Sequence, residues 1–202
     1  MNVTVFCASS DLVSSQFKLQ ADALGRWIVA NGHTLVYGGA TGGLMDAVAQ
    51  AVRRESGYIV GIIPQNVIDK GRKSDICDEL LCVETLSERK ELMKDYSDVC
   101  VVLPGGFGTF DEMFDTISSG MLGYNELQTI LVNIDGYYDG ILQQISRMTR
   151  EQLGYVRTST LCVCNSVEEC IDILNRYFMK KGYSFEFLLI CNEDFDNLKN
   201  QN

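Results

Sequence analysis

Histidine is nearly absent from this chain of 202 residues: His33 is the only one. A zinc site built on several histidines is thereby excluded, and a Ser-His-Asp hydrolase would rest entirely on that imidazole. Basic residues are also in the minority, 17 against 27 acidic, for a formal charge of −10. A protein that coats nucleic acid through its overall charge is normally basic, so nucleic acid is not an expected partner. No apolar run reaches the roughly 20 residues that span a bilayer. Met1-Asn2-Val3 leads straight into a strand-like segment without the charged start of a signal peptide, so no membrane is expected and the cytoplasm is the expected location. Eight cysteines stand at 7, 77, 82, 100, 162, 164, 170 and 191, with no Cys-x-x-Cys pair. Most fall in apolar runs, where a thiol behaves as a small hydrophobe, so reduced core cysteines are expected rather than a disulfide framework. Cys7, at the end of the first strand, comes closest to a nucleophile's setting.

What is present is an ordinary globular composition, 46% hydrophobic and 22% charged, of a length that buries about 70% of its unfolded surface. Short runs rich in Val, Ile and Leu alternate with segments of helical period. Strands are predicted at 3–7, 34–37, 58–63, 80–83, 99–103, 129–134 and 161–164. Helices are predicted at 12–30, from 43 to about 55, at 87–96 and 109–121, from 139 onward, and at 166–181. The first helix is read from Phe17, Ala21, Leu24 and Ile28 on one face. Residues 65–78, with Lys70, Arg72 and Lys73, read as a mobile loop. Strand–helix alternation with near-continuous apolar strands predicts an α/β, Rossmann-like, three-layer αβα fold with a mostly parallel central sheet. One domain over 1–182 is expected, followed at 183–202 by an edge strand or arm with a frayed end.

Ligands of such folds bind beyond the carboxyl ends of the strands, at glycine turns and helix N-termini. Two turns qualify: Gly38-Gly39-Ala40-Thr41-Gly42-Gly43 and Gly105-Gly106-Phe107-Gly108. Neither is a Gly-x-Gly-x-x-Gly after the first strand nor a Gly-x-x-x-x-Gly-Lys-Ser/Thr loop, which argues against NAD and P-loop chemistry. Both turns are expected to present N–H groups to phosphate. Arg89 and Lys90 sit in the first turn of a short helix, where cations oppose the dipole. They are either phosphate ligands or a solvated basic pair. Glu112 projects away from a buried face read as Phe110, Met113, Phe114, Ile117 and Met121. In Thr109-x-x-Glu112 it is either a capping-box glutamate or a functional carboxylate at the helix start.

Pro104-Gly105-Gly106-Phe107-Gly108-Thr109-Phe110-Asp111-Glu112 has the form PGGxGTxxE and resembles the Lonely Guy family of cytokinin riboside 5′-monophosphate phosphoribohydrolases. The likeness continues through Leu35–Gly39, Gly43-Leu44-Met45, Gly61–Pro64, Glu88-Arg89-Lys90, Ser97-Asp98 and Asn133-x-x-Gly136-Tyr137-Tyr138, roughly residues 3–180. It implies a homodimer or larger assembly that hydrolyses a nucleoside monophosphate to free base and ribose 5-phosphate, with no cofactor or metal. It places the catalytic pair on Arg89 and Glu112. Phosphate and nucleotide contacts fall on Ser9, Gly38, Gly39, Gly43, Met45, Lys90, Gly105, Gly106, Gly108 and Thr109. The chain departs from the family pattern at Ala8, Ala40, Asp46, Ser87 and Ser119–Gly123. A nucleotide-like cofactor carrier without hydrolysis is the alternative reading.

Overall fold

The computed structural model describes residues 1–157 and 159–180, so the arm expected at 183–202 lies outside the described residues. The strands are β1 (Asn2–Phe6), β2 (Thr34–Tyr37), β3 (Ile59–Pro64), β4 (Glu79–Val83), β5 (Val99–Val102), β6 (Thr129–Val132) and β7 (Leu161–Cys164). The helices are α1 (Ser15–Ala30), α2 (Gly43–Arg54), the single turn α3 (Gln65–Ile68), α4 (Leu86–Asp95), α5 (Phe107–Met121), α6 (Asp139–Arg150) and α7 (Val167–Lys180).

The strands form one sheet in the order β4-β3-β2-β1-β5-β6-β7. Every ladder among the described residues is parallel, which sharpens the expectation of a mostly parallel sheet. Strand side chains alternate between two apolar cores. Val3 and Val5 of β1 join Ala21, Leu24 and Ile28 of α1, with Leu44 and Val48 of α2 and Leu174 of α7. Phe6 joins Met93 of α4, Met113 and Ile117 of α5, and Leu142 and Ile145 of α6. The sheet is thus covered on both faces, and each large apolar side chain fully removed from water contributes about 1.5–3 kcal/mol.

The chain winds outward from β1 through β2, β3 and β4, then crosses back to place β5 on the other side of β1. That reversal opens a crevice at the carboxyl ends of β1 and β5, where the turns entering α1 and α5 diverge.

Two expectations require correction here. The first helix starts at Ser15 rather than at residue 12, because Leu12 is 96% exposed and contributes nothing to the core. Segment 65–78 is tied down rather than mobile. Ala40 and Lys73 form an antiparallel bridge, Ser74 N–H donates to the Gly39 carbonyl (2.9 Å), and Arg53 Nη2 donates to the Ile76 carbonyl (2.5 Å).

Candidate active site

The crevice holds a cavity of about 370 Å³, within the usual size range of small-molecule sites. Arg89 of α4 and Glu112 of α5 meet there across the sheet's end. Arg89 Nη1 donates to Glu112 Oε1 at 2.5 Å, and Arg89 Nε donates to the Ile62 carbonyl of β3 at 2.9 Å. The two side chains are only 14% and 9% exposed. Burial pushes the Glu112 carboxyl above the ordinary glutamate range, and the charge and hydrogen bond of Arg89 pull against that rise. Gly38 makes the pairing possible: a Cβ there would lie 2.5 Å from Arg89 Nη2.

Helix α4 starts in a way that fixes Arg89. Thr85 Oγ1 accepts from Glu88 N–H (3.0 Å), and Glu88 Oε2 reaches back to Glu84 N–H (2.9 Å). A reciprocal cap of this kind is one of the two readings of Thr109 and Glu112, and it lies on α4 instead. Helix α5 begins at Phe107 with Gly106 as its cap and no capping side chain. Thr109 is therefore inside the helix, and Glu112 is free to turn inward. The buried face of α5 is Thr109, Glu112, Met113, Thr116 and Ile117, while Phe114 is exposed, which corrects the face read from periodicity.

The two glycine turns part company at this point. At α2 the donors are taken by the protein itself: Gly42 N–H by Asp46 Oδ2 (2.8 Å), Gly43 N–H by Asp11 Oδ1 (3.0 Å), and Leu44 N–H by the Ala8 carbonyl (2.8 Å). The N–H groups that open α2 are thus spent inside the protein, unlike those that open α5. Asp46, where the family pattern has glycine, supplies one of those caps. Gly43, at φ +60°, lets α2 sit against Ala8 and Ser10, whose carbonyls would meet a Cβ at 2.6 and 2.7 Å. At α5 the N–H groups of Phe107, Gly108 and Thr109 have no acceptor within the helix and stand at the cavity with a partial positive charge. A Cβ at Gly106 or Gly108 would meet nothing within 4 Å, so protein packing does not demand glycine at either position. Gly108→Ala should therefore leave thermal stability unchanged or slightly raised, because alanine favours helix by about 0.8–1 kcal/mol. A probe of the open N–H groups, binding of ribose 5-phosphate by calorimetry, should weaken in the same variant.

Behind the α5 turn stands the Asn133–Tyr138 motif. Tyr137 Oη donates to the Gly105 carbonyl (2.6 Å) and Tyr138 Oη to the Leu103 carbonyl (2.7 Å), while Asn133 Oδ1 accepts from Tyr138 N–H (2.7 Å). These bonds hold the turn from below. Gly105 itself is a packing position, since a Cβ there would strike Thr109.

Of the residues expected at the site, Ser9, Gly38, Met45, Arg89, Gly106, Gly108, Thr109 and Glu112 line the cavity. Gly39, Gly43, Gly105 and Lys90 do not. Lys90 Nζ turns to Asp111 (2.9 Å) and Asp115 (3.3 Å) of α5, and the hydrogen bond to Asp111 leads the effects holding its pKa up. It clamps α4 to α5 rather than facing a ligand. Cys7 lies on the cavity wall as a protonated thiol, its pKa raised by burial and by the Glu112 charge, which removes it as a nucleophile. His33 packs between Trp27 and Phe178 at the opposite, amino end of β2. Arg72, Ser10, Val67 and Leu86 also line the cavity without any motif pointing to them, as do Phe107 and Pro64, which lie in motifs but had no role expected.

A family model described as "Possible lysine decarboxylase" matches residues 45–176. A cytokinin riboside 5′-monophosphate phosphoribohydrolase of Mycobacterium tuberculosis is 36% identical over 172 residues, covering 84% of this chain and 90% of that one. One from Arabidopsis thaliana is 36% identical over 157 residues, 78% of this chain and 68% of its own. Among solved structures, a molybdenum cofactor binding protein from Rippkaea orientalis superposes with a TM-score of 0.64 at 19% identity, covering 88% and 96% of the two chains. That likeness is one of fold.

Proposed function

Because the chain belongs to the Lonely Guy family of cytokinin riboside 5′-monophosphate phosphoribohydrolases, we propose that it cleaves the N-glycosidic bond of AMP-like or N6-modified adenine nucleoside 5′-monophosphates, releasing free base and ribose 5-phosphate. The observation that carries the reading is the buried Arg89–Glu112 pair beside the uncapped start of α5. The 5′-phosphate takes the N–H groups of Phe107, Gly108 and Thr109, which fixes the sugar against Glu112. Breaking the bond to the base leaves oxocarbenium character on the ribose. The Glu112 carboxylate stabilises that cation and orients the ribose hydroxyls or the attacking water, and Arg89 keeps the carboxylate ionised and aimed. Met45, Pro64, Val67 and Leu86 give the rest of the cavity an apolar lining suited to a base.

A carrier without hydrolysis has only fold-level likeness behind it, and it would have no use for a buried carboxylate held by arginine. The test is a comparison of AMP and N6-substituted AMP with the same nucleosides lacking the 5′-phosphate. Hydrolysis favouring the monophosphates by at least about 10²-fold in kcat/KM is expected from the loss of charge-assisted bonds. Tight binding without turnover would leave the carrier.

The same reading makes the protein a cytoplasmic homodimer or larger assembly. Cys7, Cys77, Cys82, Cys100, Cys164 and Cys170 are free thiols, whereas Cys162 is disulfide-bonded, an exception to the expected reduced set. Phe107, Phe114 and Leu122, 92%, 41% and 72% exposed, form an apolar strip along α5 beside the cavity that a second copy would cover. Sedimentation should give a dimer or larger for the full chain and a monomer for Phe114→Asp combined with Leu122→Asp. A monomeric unmodified chain would contradict this.

A further inference from the structure

The basic cluster of segment 65–78 has no part in the reaction as described above. Lys70 and Lys73 are exposed, and Lys73 faces Asp75. Arg72 turns the other way, into the wall of the cavity that holds Arg89 and Glu112. Its Nη2 donates to the Ser9 carbonyl after β1 (2.9 Å) and to the Thr41 carbonyl after β2 (2.6 Å). Its own carbonyl accepts from Thr41 N–H (2.8 Å) and its N–H donates to the Val67 carbonyl (3.3 Å). Two segments of chain therefore hold the guanidinium, and backbone bonds to Thr41 and Val67 hold the residue that carries it.

Both side-chain acceptors are neutral, and among the described residues no carboxylate forms an ion pair with Arg72, in contrast to Arg89. Asp11, which lies nearby, spends Oδ1 on Gly43 N–H. Nε and Nη1 of Arg72 have no acceptor among the described residues. A fixed, half-buried guanidinium with unanswered charge and spare donors is a binder of carboxylate or phosphate oxygens. With Glu112 ionised, the cavity still carries a net positive charge from two arginines and the start of α5.

We propose that Arg72 is a substrate-binding residue that grips the phosphate of the nucleotide together with the N–H groups at the start of α5. The proposal rests on the phosphoribohydrolase reading for the identity of the ligand. It supplies the second cation that Lys90, drawn off to Asp111 and Asp115, does not provide.

The test uses Arg72→Gln, which keeps an amide donor for the Ser9 and Thr41 carbonyls but removes the charge, and Arg72→Lys, which keeps the charge without the fork. Binding of ribose 5-phosphate to the full chain is measured by calorimetry, alongside kcat and KM for AMP and thermal unfolding. Arg72→Gln should weaken ribose 5-phosphate and raise KM by about 10- to 100-fold, with kcat within about threefold and an unchanged unfolding temperature. Arg72→Lys should fall between the two. Unchanged affinity in Arg72→Gln would overturn the proposal. So would a loss confined to kcat and stability that lysine does not restore, because that marks a clasp and not a ligand contact. A wild-type chain that binds ribose 5-phosphate but turns over no nucleotide would sink the reaction and leave Arg72 to be judged on affinity. A chain that does neither would sink both.

Discussion

Glu112→Gln should lower kcat for nucleoside monophosphate hydrolysis by about 10²–10⁴-fold while leaving ribose 5-phosphate binding within a few-fold of the unmodified protein. Glutamine keeps the shape of the side chain and an acceptor oxygen for Arg89 Nη1, so the pocket is preserved. What is lost is the negative charge beside the ribose carbon at which cationic character develops. The pH profile gives a second readout. Burial raises the Glu112 pKa above the ordinary glutamate range, so the carboxylate is protonated at low pH and ionises only above that raised value. Activity should rise with pH through that value and then level off, and this acid limb should vanish in Glu112→Gln. A variant with full activity would reduce Glu112 to a structural partner of Arg89.

Arg89→Ala should be at least as damaging, for a different reason. The charge and hydrogen bond of Arg89 are the main influences holding the Glu112 pKa down against burial. Without it the carboxyl stays protonated to higher pH, so the acid limb should move upward and kcat/KM at neutral pH should fall by about 10³-fold. The Ile62 carbonyl also loses its donor. The fold should be destabilised by about 1–3 kcal/mol, the cost of leaving a buried polar group unpaired. The sign with pH follows from the raised pKa. Ionising a buried, unpaired Glu112 opposes folding, so the stability deficit should be smaller at acid pH and grow as pH rises through the raised value. Combining Arg89→Ala with Glu112→Gln should remove that pH dependence without restoring turnover. Urea unfolding at two pH values, together with pH–rate profiles, checks both statements.

The strands and most helices were legible because burial on both faces of a parallel sheet forces continuous apolar runs, as at Thr34–Tyr37 and Leu161–Cys164. Strand order was not, since β1–β5 pairing leaves no trace in local periodicity. The site was legible as a motif and misread in detail. A glycine cap carries no side-chain signature, so periodicity starts α5 at Thr109 instead of Phe107, and counting Phe110 and Phe114 into the buried face puts Glu112 on the outer one. A carboxylate at 9% exposure defies an apolar pattern, because what allows its burial is Arg89, 23 residues away on another helix. Lys90 was misplaced for the same kind of reason: its partners Asp111 and Asp115 are remote in sequence. The first glycine turn looks like the second in sequence, and only Asp11, Asp46 and the Ala8 carbonyl reveal that the donors of Gly42, Gly43 and Leu44 are spent. Arg72 had no signal beyond two lysines beside it.

The most direct measurement is product stoichiometry from the full chain acting on N6-substituted AMP. Equal amounts of free base and ribose 5-phosphate, both abolished in Glu112→Gln, are expected if the cavity performs N-glycosidic hydrolysis. Release of nucleoside and inorganic phosphate, or no release at all from a tightly bound nucleotide, would contradict it.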